Sequence, residues 1–166
     1  MGSELVATID PGKRRLAIAV WKSSLLQRAF LVEGKDQFAT ACKAAKKLLG
    51  LNFSKAILEE PLVSLRREED PNDCIAITLT GGLFVGMLNI EELVKVHPGT
   101  WMGQRPKGIT EQRARKKLSK EELSRIEFPS ETKFHADVWD AISIGLWHFR
   151  KERRLCAKAN DQINTL

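Results

Sequence analysis

Several carboxylates stand where a solvated surface would not place them. Asp10 ends the apolar run 5–9, although Asp is a poor strand former. Glu59 and Glu60 end the apolar run Ala56-Ile57-Leu58, and Asp137 and Asp140 sit three residues apart among Val138, Trp139, Ala141 and Ile142. On a helix three residues turn ~300°, so the last two carboxylates lie about 60° apart on one face. They repel each other unless a cation sits between them or one keeps its proton. A cluster of hard oxygen donors, with no Cys or His at ligand spacing, suits Mg²⁺ or Mn²⁺. Each acid alone has a plainer reading: Asp10 before Pro11-Gly12 as a turn former, Asp137 or Asp140 as a residue favoured by the dipole of a helix start. Two strands and a helix bringing four of them beside a basic region point instead to a site.

The basic region is local. The formal charge of +6 over 166 residues is concentrated at 105–125, with eight bases against three acids, and at 150–158, with five against one. This pattern suits a polyanionic partner, while a charge run taken alone also reads as a solvated helix face. Arg113, Arg115, Lys116 and Lys117 come too close in sequence to share one face, so only some can reach phosphates. Trp101, in the Gly- and Pro-rich stretch 98–108, is expected on a mobile loop where it could stack on a base, whereas Trp139 and Trp147 are expected to pack. His135 could assist water or phosphate, or be structural; His97 and His148 read as structural. Thr80-Gly81-Gly82 is too short for a phosphate-binding loop.

The elements that must position these groups follow from periodicity. Residues 5–10 and 16–21 read as a hairpin, 29–32 as a third strand, and 36–49 as an amphipathic helix with Phe38, Ala41, Cys42, Ala45, Leu48 and Leu49 inward. A strand at 55–60 is followed by a helix at 72–87, capped by Asp70 with Pro71 in its first turn and weakened by Gly81-Gly82. A short strand at 93–97 precedes the loop; Thr110 then caps a basic helix, Ser119 with Glu122 forms a capping box, and a long helix covers 134–152. The order predicts an α/β fold with a mixed five-stranded sheet and helices on both faces. One domain over 1–155 is expected, with 156–166 as a loose tail. With 43% hydrophobic and 29% charged residues, the chain is not of disordered type. Three cysteines without a C-x-x-C pair read as free thiols. No apolar stretch approaches the roughly 20 residues of a membrane span, and the first residues lack a secretory pattern, so a cytoplasmic protein without a membrane partner is expected.

Asp10-Pro11-Gly12 after the first strand, Ile57-Leu58-Glu59-Glu60-Pro61 at the fourth, and His135-Ala136-Asp137-Val138-Trp139-Asp140-Ala141 at the last helix together resemble the RuvC-like Holliday junction resolvases of the RNase H-like nuclease superfamily. Asp-x-x-Asp-Ala is the most specific of the three motifs, which together reach across residues 5–148. The resemblance implies an RNase H-like fold, with Asp10, Glu59, Asp137 and Asp140 as catalytic and metal-binding residues; it prefers Glu59 to Glu60 because the family acid is followed by one residue and then a proline or apolar position. It also implies a homodimer that nicks opposing strands of a four-way DNA junction and leaves 5′-phosphate and 3′-hydroxyl ends. Two Mg²⁺ or Mn²⁺ ions about 3.5–4 Å apart would serve each site, with no small-molecule cofactor. Lys107, Arg113, Lys116 and Trp101 are the expected DNA contacts. The sequence departs from the family at Trp139, where a smaller residue is common, and in the charged stretch 62–71, to which no junction-opening residue is assigned. Within the same superfamily a nuclease for flaps or RNA–DNA hybrids shares the acidic cluster; outside enzymes, a non-catalytic nucleic-acid-binding domain shares the fold.

Overall fold

Apolar and β-branched residues at nearly every position of the first two runs leave no polar face to expose. In the computed structural model they form β1 (Leu5–Pro11) and β2 (Arg15–Lys22), an antiparallel pair largely buried on both faces. The structure describes residues 4–61, 70–103 and 107–163, without the side chains of 107, 108 and 153–163. β2 turns into β3 (Leu25–Glu33) through Ser23 and Ser24, whose φ angles of 50° and 67° give the handedness that a two-residue hairpin turn requires. β3 begins earlier than the expected 29–32 because a distant segment ties it down. The Leu26 N–H donates to Glu122 Oε1 at 2.9 Å, and Arg125 donates to the Leu26 carbonyl at 2.8 Å.

α1 (Gln37–Lys47) is capped by Asp36, which accepts from the Ala39 N–H at 2.7 Å. Its buried face is Thr40, Ala41 and Ala44, continued by Leu48, whereas Phe38 and Leu49 are exposed, so the expected apolar stripe is corrected. Two alanines and a threonine that hydrogen-bonds to the Asp36 and Arg14 carbonyls let the helix lie close to the sheet, a packing that side-chain hydropathy does not encode. β4 (Asn52–Glu59) follows, then α2 (Pro71–Gly86), with Asp70 accepting from the Asn72 N–H at 2.9 Å and Pro71 at the first helical position. Gly81 does not weaken α2. A Cβ there would stand 2.9 Å from Leu58 and 3.4 Å from Pro11, so the bare backbone is what lets α2 approach β1 and β4.

β5 (Asn89–Val96) leads to α3 (Pro98–Trp101), α4 (Lys107–Arg115) and α5 (Lys120–Ser124), whose Ser119–Glu122 capping box is present as expected. The stretch 98–108, expected to be loop, therefore holds α3 and the start of α4, because Pro98 can open a helix; Thr110 lies inside α4 rather than capping it. β6 (Ile126–Glu127) adds a sixth strand, parallel to β3 and too short to show a period. After a 3₁₀ turn (Thr132–Phe134), α6 (His135–Ile163) continues past Leu155, so the stretch expected as a loose tail is helical at least to Ile163. The charged segment 62–69 and the side chain of Cys156 lie outside the described residues; Cys42 is half-buried and Cys74 buried, both as free thiols. Among the described residues no helix is long and apolar enough to cross a membrane.

The sheet order is β5-β4-β1-β2-β3-β6, parallel at β1/β4, β4/β5 and β3/β6 and antiparallel at β1/β2 and β2/β3. α1 and α2 cover one face, with Phe84 of α2 packed in the cluster of Ile9 and Ile18; α6 covers the other, with its Ile142 in the cluster of Ala19 and Trp21, and α3 and α4 pack on α6.

One buried base has a measurable consequence for stability. His148 on α6 lies 3.0 Å from Glu152, which also pairs with Lys55 at 3.0 Å. Burial holds its pKa below the usual histidine value, against the attraction of Glu152 and with the help of Lys55. The unfolded chain therefore binds a proton that the folded chain resists, and stability falls as pH drops below about 6.5. Thermal melts from about pH 7 to about pH 5 should show this fall, and His148→Gln should flatten it. An unchanged pH slope in the variant would assign the acid sensitivity to other groups.

Candidate active site

The register of the two central parallel strands places Ile9 beside Leu58, so Asp10 and Glu59, the next residues on each strand, end neighbouring strands at one level. The carboxyl ends of parallel strands are where open α/β sheets leave a crevice. α6 crosses this end with Asp137 in its first turn and Asp140 three residues on. All four carboxylates line a single cleft of about 400 Å³, together with Arg15, Pro98 and Met102. Glu60 does not line it; its carboxylate pairs with Lys95 at 2.7 Å. Strand alternation thus separates two adjacent acids that composition could not distinguish.

The relation of α6 to β1 is set by a buried lock. The Trp21 indole N–H donates to the Thr8 hydroxyl at 3.0 Å, and that hydroxyl donates to the Ala141 carbonyl at 2.7 Å. Thr8 is two residues from Asp10, and Ala141 directly follows Asp140. Gly145, one turn further along α6, lies flat on the Trp21 indole, and a Cβ there would be 2.3 Å from the ring.

Arg15 is a cleft residue that sequence reasoning passed over. Its Nε stands 3.5 Å from Asp137 Oδ2, and its guanidinium lies 4.0 Å over the Phe134 ring. That buried Nε makes no hydrogen bond among the described residues, so charge and the aromatic face hold the side chain rather than a directed bond. The only signal for it was the Lys13-Arg14-Arg15 run close behind Asp10. A guanidinium there could meet a phosphate oxygen.

The expected nucleic-acid contacts divide. Trp101 is 5% exposed and its indole N–H donates to Glu59 Oε2, so it is a buried partner of a cleft carboxylate and not the base-stacking residue expected. Arg113 is exposed and lines a second cavity, whereas Lys116 is exposed and lines neither cavity. The side chain of Lys107 lies outside the described residues. Arg115 is engaged with Glu111 at 2.8 Å and lies over the Trp139 ring. His135 accepts its structural reading: its Nε2 is 2.9 Å from the Pro129 carbonyl and its ring packs on Phe128. His97 Nδ1 is 3.3 Å from the Glu60 carbonyl.

Four carboxylates fit a hard divalent cation by donor type and by sharing one cleft. Among the described residues no three of them are gathered closely enough to form a ready-made metal site, and the Arg15 guanidinium stands beside Asp137.

The mixed sheet and the helices on its two faces form an RNase H-like fold, the fold of the RuvC structures to which the chain is similar. No family model and no curated protein sequence matches the chain. Among solved structures it is similar to the Thermus thermophilus RuvC structure, with 17% identity and a TM-score of 0.59 over 90% of this chain and 96% of that one. It is also similar to T. thermophilus RuvC in complex with Holliday junction substrate, with 18% identity and a TM-score of 0.61 over 91% of this chain and 96% of that one. At such identities the likeness establishes the fold.

Proposed function

We propose that the chain is a metal-dependent endodeoxyribonuclease that resolves four-way DNA junctions by paired nicks, leaving 5′-phosphate and 3′-hydroxyl ends. The observation that carries this reading is the convergence of Asp10, Glu59, Asp137 and Asp140, from two strands and a helix, on one cleft. The likeness to a RuvC structure complexed with Holliday junction substrate supports the choice of DNA. Asp10, Glu59, Asp137 and Asp140 would hold Mg²⁺ or Mn²⁺, two ions per site, which when bound supply an activated water and neutralise charge on the leaving 3′ oxygen. Trp101 orients Glu59 through its indole N–H, the Thr8 lock fixes α6 against β1, and Arg15 is placed to meet a phosphate oxygen. No side-chain nucleophile is required.

Glu59→Gln is expected to lower cleavage at least about a hundredfold more than Glu60→Gln, because only Glu59 lines the cleft. The reverse ranking in single-turnover assays would place the wrong acid in the site.

A two-fold junction calls for two active centres, which a homodimer supplies. α2 offers a surface for the second copy: Ile75, Thr78, Leu79, Gly82 and Gly86 are exposed along it without a charge among them, unlike an ordinary surface helix. Ile75→Asp with Leu79→Asp should turn a dimer into a monomer in sedimentation. A variant that stayed dimeric would move the contact elsewhere.

The reading is tested on a synthetic junction with each strand labelled in turn. Opposed strands should be nicked symmetrically, and DNA ligase should seal the products. Nicks in one strand only, or ends that cannot be ligated, would contradict it.

A further inference from the structure

The basic surface beside the cleft is uneven in a way that composition conceals. Several described cations are held by carboxylate partners: Arg28 with Glu127, Lys55 with Glu152, Lys95 with Glu60, Arg115 with Glu111 and Arg125 with Glu121. Arg113 and Arg150 have none among the described residues. These two, with Lys117, line a cavity of about 70 Å³ between α4 and α6, to which Thr110, Ser143 and Trp147 also contribute.

We infer that this cavity seats a DNA backbone phosphate other than the one in the acidic cleft. The inference rests on the nuclease reading above and deepens it. Two guanidiniums, an ammonium and two hydroxyls are donors suited to phosphate oxygens. The apolar wall of Trp147 displaces water from one side, which strengthens the charge interactions that remain.

The cavity also has a fixed relation to the cleft. Met102 lines both, and Trp101, which lines the cavity, donates its indole N–H to Glu59. A shared wall anchored to a cleft carboxylate means that the two phosphates must be separated by a constant number of nucleotides along the bound DNA. The seat therefore acts as a ruler for where the scissile bond falls, in addition to contributing affinity.

The test is a neutralisation scan. In Asp10→Asn protein, which is expected to bind without cutting, single methylphosphonates are placed at successive positions around the junction centre and affinity is measured at fixed salt. One position outside the scissile phosphate should cost about tenfold, and that penalty should vanish in a Lys117→Ala/Arg150→Ala background while penalties elsewhere persist. Arg113→Gln repeats the cycle at the third cation and should erase the same position. A scan in which no penalty depends on these residues, or in which the two backgrounds erase different positions, overturns the seat while leaving the nuclease reading intact. A protein that does not bind the junction at all overturns both.

Discussion

Asp10→Asn and Asp140→Asn are each expected to slow junction cleavage by at least about 10³-fold while leaving junction binding within a few-fold of wild type. Lewis-acid stabilisation is worth several kcal/mol of barrier, and each 1.36 kcal/mol is about tenfold in rate. An amide keeps the size and one oxygen of the carboxylate but loses the charge that holds a divalent ion, so the loss falls on chemistry. On the proposed reading binding rests on a different set of groups, the cations of the α4 and α6 surface such as Arg113 and Arg150, and should be spared because phosphate contacts do not depend on the cleft carboxylates. The two sites should behave alike although one lies on β1 and the other on α6, since both line the same cleft. Single-turnover cleavage alongside equilibrium binding separates the two effects. Either variant turning over near the wild-type rate would remove that residue from the catalytic set.

Gly145→Ala is expected to be the most damaging conservative change in the fold. A single added methyl would lie 2.3 to 2.5 Å from three atoms of the Trp21 indole, which is itself fully buried. Trp21 cannot retreat without giving up its hydrogen bond to Thr8, and Thr8 is what holds the Ala141 carbonyl. Overpacking of this kind costs about 3 kcal/mol. For a domain of this size that is a fall in Tm of ~6–12 °C. Because the strain acts on the contact that sets α6 against β1, the variant should also need more Mg²⁺ for half-maximal cleavage at temperatures where it remains folded. Melting at the wild-type temperature would show that α6 can lift from the sheet at little cost.

The site was legible in the sequence to the extent that its residues violate local rules. Asp10 and Glu59 interrupt apolar runs, and Asp137 and Asp140 share a helix face; those conflicts between propensity and residue type survive without any knowledge of the fold. The Ser119–Glu122 capping box and the Asp70-Pro71 helix start were equally readable because they are local chemistry. What escaped was set by partners distant in sequence. Trp101, flanked at two residues by glycines, reads as exposed until Glu59, 42 residues upstream, takes its N–H. Phe38 and Leu49 look inward by period, but small residues at Ala41 and Ala44 bring another face of α1 onto the sheet. β6 is two residues held by pairing to β3, and Arg15 belongs to the cleft only because β2 runs back beside β1 from Asp10. Gly81 and Gly145 read as helix weakeners or as nothing, whereas both are points of close approach.

The most direct measurement is cleavage of four substrates side by side in Mg²⁺ and in chelator: a synthetic four-way junction, a flap, an RNA–DNA hybrid and plain duplex DNA. The account requires that the junction be cut far faster than the other three, and that chelation stop the reaction. Equal or faster cleavage of the hybrid or flap, or junction cleavage that persists in chelator, would contradict it.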